Sequence, residues 1–157
     1  MANQGLERTL QTQGKQLVRT PVGDKHIANA LVEHDLLLGA EPSGHVIAKD
    51  YLLSSDGIFT ALRLMQACRA SGNSAMKTFS KMPHIVLNLP VNHKKDLTSP
   101  ELASIINQYT GQLTAGRLLV RYSGTENLLR IMVEDTVYDH AYSIAHDLGM
   151  KLSTLLT

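Results

Sequence analysis

The sequence predicts a mixed α/β fold followed by an α+β fold. A partial mixed α/β domain covers residues 1–81, and a two-layer β-α-β-β-α domain covers 82–157. Three observations carry this. In the first half, short apolar runs bounded by turn residues alternate with helix-spaced apolar stripes. In the second half, Thr98-Ser99-Pro100-Glu101 combines a hydroxyl cap, an early proline and a capping-box glutamate, a strong helix start. Between residues 117 and 134, two strand-like runs flank one short polar turn.

The elements follow in order. Gln16 to Thr20 is a strand candidate closed by Pro21 and Gly23. Asp24 is placed to cap a helix from about Lys25 to His34, with Ile27, Ala30 and Leu31 on one face. Leu36-Leu37-Leu38 reads as a strand running into the turn Glu41-Pro42-Ser43-Gly44-His45, and Val46 to Leu53 as the returning strand. Ser55 or Asp56 then caps a helix whose stripe is Ile58, Ala61, Leu62, Met65 and Cys68, stopped by Gly72. A short helix over Ala75–Ser80 precedes a domain boundary near Lys81. In the second domain His84 to Val91 is a strand, and the next helix buries Leu102, Ile105, Ile106 and Tyr109 before Gly111. Strands Arg117–Tyr122 and Leu128–Glu134 follow. The last helix, from Asp135–Tyr138 nearly to the end, carries Ala141, Ile144, Ala145, Leu148, Leu152 and Leu155 on one face.

Bulk chemistry narrows the function. A net charge of +1 gives no broad electrostatic footprint for nucleic acid or anionic lipid. No tryptophan and few aromatics argue against stacking platforms for single strands. The single cysteine, Cys68, excludes an internal disulfide framework and fits a reducing cytoplasm. It sits on an apolar stripe and reads as a buried thiol. The seven histidines show no HExxH spacing, and His140 and His146, six apart, do not share a helical face. No P-loop, GxSxG or DxDxD cluster is present.

Two turns hold the remaining chemistry. In Arg121-Tyr122-Ser123-Gly124-Thr125-Glu126-Asn127-Leu128-Leu129-Arg130, a glycine turn can aim successive N–H groups into one anion-binding concavity. Ser123 and Thr125 add hydroxyls, and Arg121 and Arg130 add bidentate forks suited to phosphate oxygens. Glu126 fits as a holder of an arginine. An ordinary β-turn with solvated arginines accounts for the same composition equally well. Glu41, Ser43 and His45 place acceptors and donors at the spacing of vicinal sugar hydroxyls. Composition alone favours a plain glycine turn with a capping carboxylate there.

Together and in this order the two turns resemble the phosphoglucosamine mutases of the α-D-phosphohexomutase superfamily, along nearly the whole chain. NQGLER, PVGDKHI, LLGAEPSGHVI, SSDGIFTAL and GRLLVRYSGTENLLRIMVE are similar to successive segments of that family's third and fourth domains. The resemblance implies that Glu41 and Ser43 meet sugar hydroxyls, with His45 supporting their loop and Lys25 facing the site. It implies that Arg121, Ser123, Gly124 and Thr125 hold the phosphate that is not transferred, with Arg130 in support. Tyr122, Asn127 and Ala40 depart from the usual lysine or proline, proline and glycine. The family's TASHN-type phosphoserine loop and DGDGD magnesium loop have no counterpart here, so neither a catalytic residue nor a metal ligand is expected in this chain.

The expected function is therefore part of an enzyme that interconverts glucosamine 6-phosphate and glucosamine 1-phosphate, using Mg2+ held elsewhere, on the route to peptidoglycan precursors. The chain itself is expected to bind hexosamine phosphate without catalysis. A sugar-phosphate-binding module, a split-enzyme subunit meeting domains on another chain, and a phosphomannomutase or phosphoglucomutase are the alternatives. An incomplete first domain is further expected to expose apolar surface and self-associate.

Overall fold

The computed structural model describes residues 2–72 and 79–156, so the short helix expected over 75–80 falls almost wholly outside the described residues. The chain divides into two compact units, residues 1–80 and 81–157.

The first unit contains α1 (Gln4–Thr12), α2 (Asp24–Glu33), β1 (Leu38–Ala40), β2 (Val46–Ala48) and α3 (Gly57–Ser71). Helix α1 lacks a long apolar stripe. Its start is set by the Asn3 side chain, which accepts from Gly5 N at 2.9 Å. Residues 16–20 form no strand, contrary to expectation. A short apolar run becomes a strand only when a partner supplies its ladder, and neither sheet includes these residues.

Strands β1 and β2 pair antiparallel with Gly39 opposite Ile47. The return is shorter than expected: after Ala48 the chain turns back through a single bridge to Leu52. Ile27, Leu31 and Ile47 form a small core with Ala28 and Leu36 packed against it. Gly39 is required at this seam, because a Cβ there would lie 2.2 Å from Ile27 Cγ2. Helix α2 begins one residue earlier than expected, with Gly23 at the N-cap and Asp24 in the first turn.

Asp56 caps α3 by accepting from Phe59 N at 2.8 Å, and Gly72 closes it in the left-handed region at φ 69°. No residue of α3 is buried. Its expected apolar stripe is open, with Ile58 78% and Met65 59% exposed. Cys68 is only half-buried, which corrects the expectation of an interior thiol.

The second unit has the expected order: β3 (His84–Pro90), α4 (Pro100–Thr110), β4 (Arg117–Tyr122), β5 (Leu128–Glu134) and α5 (Tyr138–Leu156). The sheet order is β3-β5-β4 with both pairings antiparallel. The period of two sorts the strands into faces. Leu129, Ile131 and Val133 of β5, with Leu118 and Val120 of β4 and Leu87 and Leu89 of β3, belong to the core. Ala141, Ile144, Ala145, Leu148, Leu152 and Leu156 of α5 and Leu102 of α4 complete it. Each fully buried aliphatic side chain contributes about 1.5–3 kcal/mol.

Helix α4 starts at the expected place by a different device. Ser99 occupies the N-cap without a side-chain bond. Asp96 instead accepts from Thr98 N at 2.9 Å and Thr98 Oγ1 at 2.7 Å. The hydrogen bond from the Thr98 hydroxyl, then that from its N–H, holds the Asp96 carboxyl below its ordinary range.

Candidate functional site

The opposite face of the second sheet carries the first candidate site. Alternation puts Arg117, Leu119 and Arg121 of β4, and Arg130, Met132 and Glu134 of β5, on that side. Register then decides their partners. Arg117 stands opposite Glu134, and Arg121 opposite Arg130. The first pair is an ion pair, Arg117 Nε to Glu134 Oε2 at 2.6 Å. The second places two guanidinium-bearing residues face to face where the strands enter their turn. Like charges directly opposed on adjacent strands cost up to about 1 kcal/mol.

Glu126 offsets part of that charge. Its Oε2 accepts from Arg130 Nη2 at 2.9 Å and, more distantly, from Ser123 Oγ at 3.4 Å. This agrees with the holding role expected of Glu126, at an exposed site where such a pair is worth little. Ser123 is buried, and its N–H donates to Leu128 O at 2.8 Å, closing the turn. Val91 N donates to Asn127 O at 3.0 Å and ties the turn to the end of β3.

Gly124 and Thr125 are exposed at the tip. Among the described residues no acceptor takes either N–H. Gly124 has no positive φ, and a Cβ there would meet nothing within 4 Å. Neither backbone strain nor crowding within the fold therefore calls for glycine at this position. What its absent side chain keeps open is the space beside two amide donors.

The sequence did not mark two neighbours of this turn. Lys94 Nζ donates to Ser123 O at 3.2 Å. Tyr122, where the family usually has lysine or proline, donates its hydroxyl to Lys95 O at 2.9 Å. Burial, with the Asp96 charge nearby, raises the Tyr122 phenol above its usual range. Lys94 and Lys95 lie in a loop some thirty residues before the turn, and no local spacing reveals them.

At the other end of the hairpin from the turn, Asp135 anchors the end of β5. It is fully buried. It accepts from Thr114 N at 3.1 Å, Thr136 N at 2.6 Å and Thr136 Oγ1 at 3.2 Å, and lies 2.9 Å from His140 Nδ1. Burial pushes its carboxyl up, but the N–H donors of Thr114, Thr136 and Ala115, together with His140, hold it below the ordinary range.

The second candidate turn belongs to the first unit. Glu41 N donates to His45 O at 2.8 Å and Gly44 N to Glu41 O at 3.0 Å, so Glu41–His45 is a closed five-residue loop between β1 and β2. Gly44 sits at φ 97°, which favours glycine. His45 Nδ1 lies 3.0 Å from Ser43 Oγ and 3.4 Å from Glu41 Oε2. Glu41 Oε1 accepts from Gly23 N at 3.1 Å. One carboxylate therefore joins the loop to the start of α2, next to Asp24 and the exposed Lys25. A carboxylate offers about four acceptor sites, so Glu41 keeps capacity for further donors.

Solved structures define the class of fold. An Aspergillus fumigatus N-acetylphosphoglucosamine mutase in complex with GlcNAc-6P and magnesium matches 99% of this chain and 38% of its own, with TM-score 0.81 at 18% identity. A second structure of that mutase, described as an antifungal target, gives TM-score 0.83 at 17% identity over 98% of this chain and 37% of its own. The fold is that of phosphohexomutase domains.

The family follows from sequence. Residues 1–85 match the model of phosphoglucomutase/phosphomannomutase alpha/beta/alpha domain III, and residues 87–148 that of the C-terminal domain. This chain belongs to the phosphoglucomutase/phosphomannomutase family. Among curated relatives, the phosphoglucosamine mutase of Solibacter usitatus is 39% identical over 85% of this chain and 31% of its own length. That of Paracidovorax citrulli is 37% identical over 95% of this chain and 35% of its own. The chain thus spans about a third of the length of the curated relatives it matches. Among the described residues no cluster of three or more His, Cys, Asp or Glu could hold a metal ion, and no helix is long and apolar enough to cross a membrane.

Proposed function

We propose that this chain carries the sugar-recognition and phosphate-gripping turns of a phosphoglucosamine mutase, acting between glucosamine 6-phosphate and glucosamine 1-phosphate. The observation that carries the reading is the register pair Arg121–Arg130 beside the open tip at Gly124. Two opposed guanidiniums, Arg130 held by Glu126, beside amide donors that no described residue accepts are a good arrangement around a phosphate monoester dianion. Arg121, Ser123, Gly124 and Thr125 hold the phosphate that stays in place, with Arg130 in support. On the first unit Glu41 and Ser43 meet sugar hydroxyls, His45 steadies their loop and Lys25 assists.

Phosphoryl transfer depends on positioning and on charge neutralisation, commonly by Mg2+. Neither a TASHN-type nor a DGDGD loop occurs in this sequence. The residues here bind and orient, and the isolated chain takes up hexosamine phosphate without turning it over. The phosphoserine and metal loops of the family would supply the transfer step, and these residues would supply the grip on the sugar phosphate.

Calorimetric titration of glucosamine 6-phosphate into the chain and into Arg121→Ala tests this. Losing one charge-assisted anchor costs about 1.5–3 kcal/mol, so Kd rises by roughly ten- to a hundredfold. Equal affinities would return the loop to the status of an ordinary turn. The matched family model also names glucose and mannose mutases. Parallel titrations with glucose 6-phosphate and mannose 6-phosphate decide among the three sugars.

A further inference from the structure

We propose that Lys94 is a positioning residue of the phosphate turn, acting through the Ser123–Gly124 peptide; this rests on the phosphate-gripping reading above. The loop after β3 is stitched to the turn by three hydrogen bonds. Val91 N donates to Asn127 O, Tyr122 Oη to Lys95 O, and Lys94 Nζ to Ser123 O at 3.2 Å. The first two join backbone carbonyls to neutral donors. The third brings a full positive charge onto a backbone carbonyl whose residue is itself buried.

The Ser123 carbonyl and the Gly124 N–H share one peptide plane. A trans peptide points the two in opposite directions, and the described chain contains no cis bond. An ammonium on the carbonyl side therefore leaves the N–H side free and fixes which way it faces. It also polarises the amide, since hydrogen bonds in a chain strengthen one another. Gly124 N–H, which no described residue accepts, becomes a better-aimed and stronger anion donor. Lys94 does this from the side of the peptide away from the anion, so its contribution passes through the amide. A lysine that made only a surface hydrogen bond would leave the Gly124 amide unchanged.

Inorganic phosphate titrated into the full chain, followed by the 1H–15N resonance of Gly124, tests the assignment. K94A and K94M raise the phosphate Kd by about three- to tenfold, the range of a single net hydrogen bond, and shrink the phosphate-induced Gly124 shift. K94R, which keeps a cationic donor, restores both. Lys94 is exposed, so these variants keep the fold. Wild-type Kd and Gly124 shift in K94A, with binding lost in Arg121→Ala, would overturn the role of Lys94 alone. Loss in K94R as deep as in K94A would overturn it as well. No phosphate response in the wild-type chain would overturn it together with the reading it rests on.

Discussion

Replacing Asp135 tests how the end of β5 is held. Its carboxylate is fully buried and takes the backbone N–H groups of Thr114 and Thr136, at 3.1 and 2.6 Å, and that of Ala115. In Asp135→Ala all three lose their acceptor. Thr114, Ala115 and Thr136 are exposed residues whose freed N–H groups can meet water, so each lost bond costs about 0.5–1.5 kcal/mol and the loss is about 1.5–4.5 kcal/mol, still a large share of the roughly 5–15 kcal/mol that holds a domain together. Asp135→Asn keeps one oxygen but turns an NH2 toward a donor, so it costs about 1–3 kcal/mol. The pH dependence has a definite sign. The folded carboxyl lies below its ordinary value, so its contribution is complete above the unfolded value of about 3.9 and drains away as pH falls through the folded one. The gap between wild type and Asp135→Asn is therefore full at pH 5 and narrows below about pH 4. Urea unfolding followed by far-UV circular dichroism suits a chain without tryptophan. An alanine variant within about 0.5 kcal/mol of wild type, or a gap that does not narrow between pH 5 and pH 3, would refute the account.

Three further outcomes are expected. Gly124→Ala leaves urea stability within about 0.5 kcal/mol of wild type, because the added methyl has open space, yet it weakens phosphate binding about tenfold or more by crowding the amide donors; normal binding would show that the space has another use. Gly116→Ala destabilises by more than about 3 kcal/mol, since its Cβ would fall 1.7 Å from Glu134 O and force the β4 start away from β5; a mild effect in the same urea assay would contradict that close approach. The open α3 face, with Ile58 and Met65 exposed, predicts self-association that Ile58→Glu with Met65→Glu reduces; sedimentation velocity showing a wild-type monomer at high concentration would count against it.

How much of the site could be read in advance depends on what each residue answers to. Arg121, Ser123, Gly124, Thr125, Glu126 and Arg130 were visible because a polar turn between two apolar runs is a local pattern. The Glu126–Arg130 pair was legible for the same reason, four residues apart. The link from Glu41 to Gly23 N spans 18 residues, and that from Lys94 to Ser123 spans 29. Only the folded chain brings these together.

The sequence by itself determined the second unit's elements and the residue types that both turns present. Periods of 2 and 3.6 there converge on one core, so local preference and packing agree. Tertiary structure decided the rest. Residues 16–20 had strand composition and found no ladder. Helix α1 carries only two large apolar residues, Leu6 and Leu10, one turn apart, and its start is set by the Asn3 cap. The α3 stripe had helical spacing but meets no partner surface among the described residues. The opposition of Arg121 to Arg130 also needed the structure, because a one-residue slip in register would have moved one of them to the other face. Propensity and pattern are properties of a segment, whereas pairing, burial and register are properties of two segments meeting.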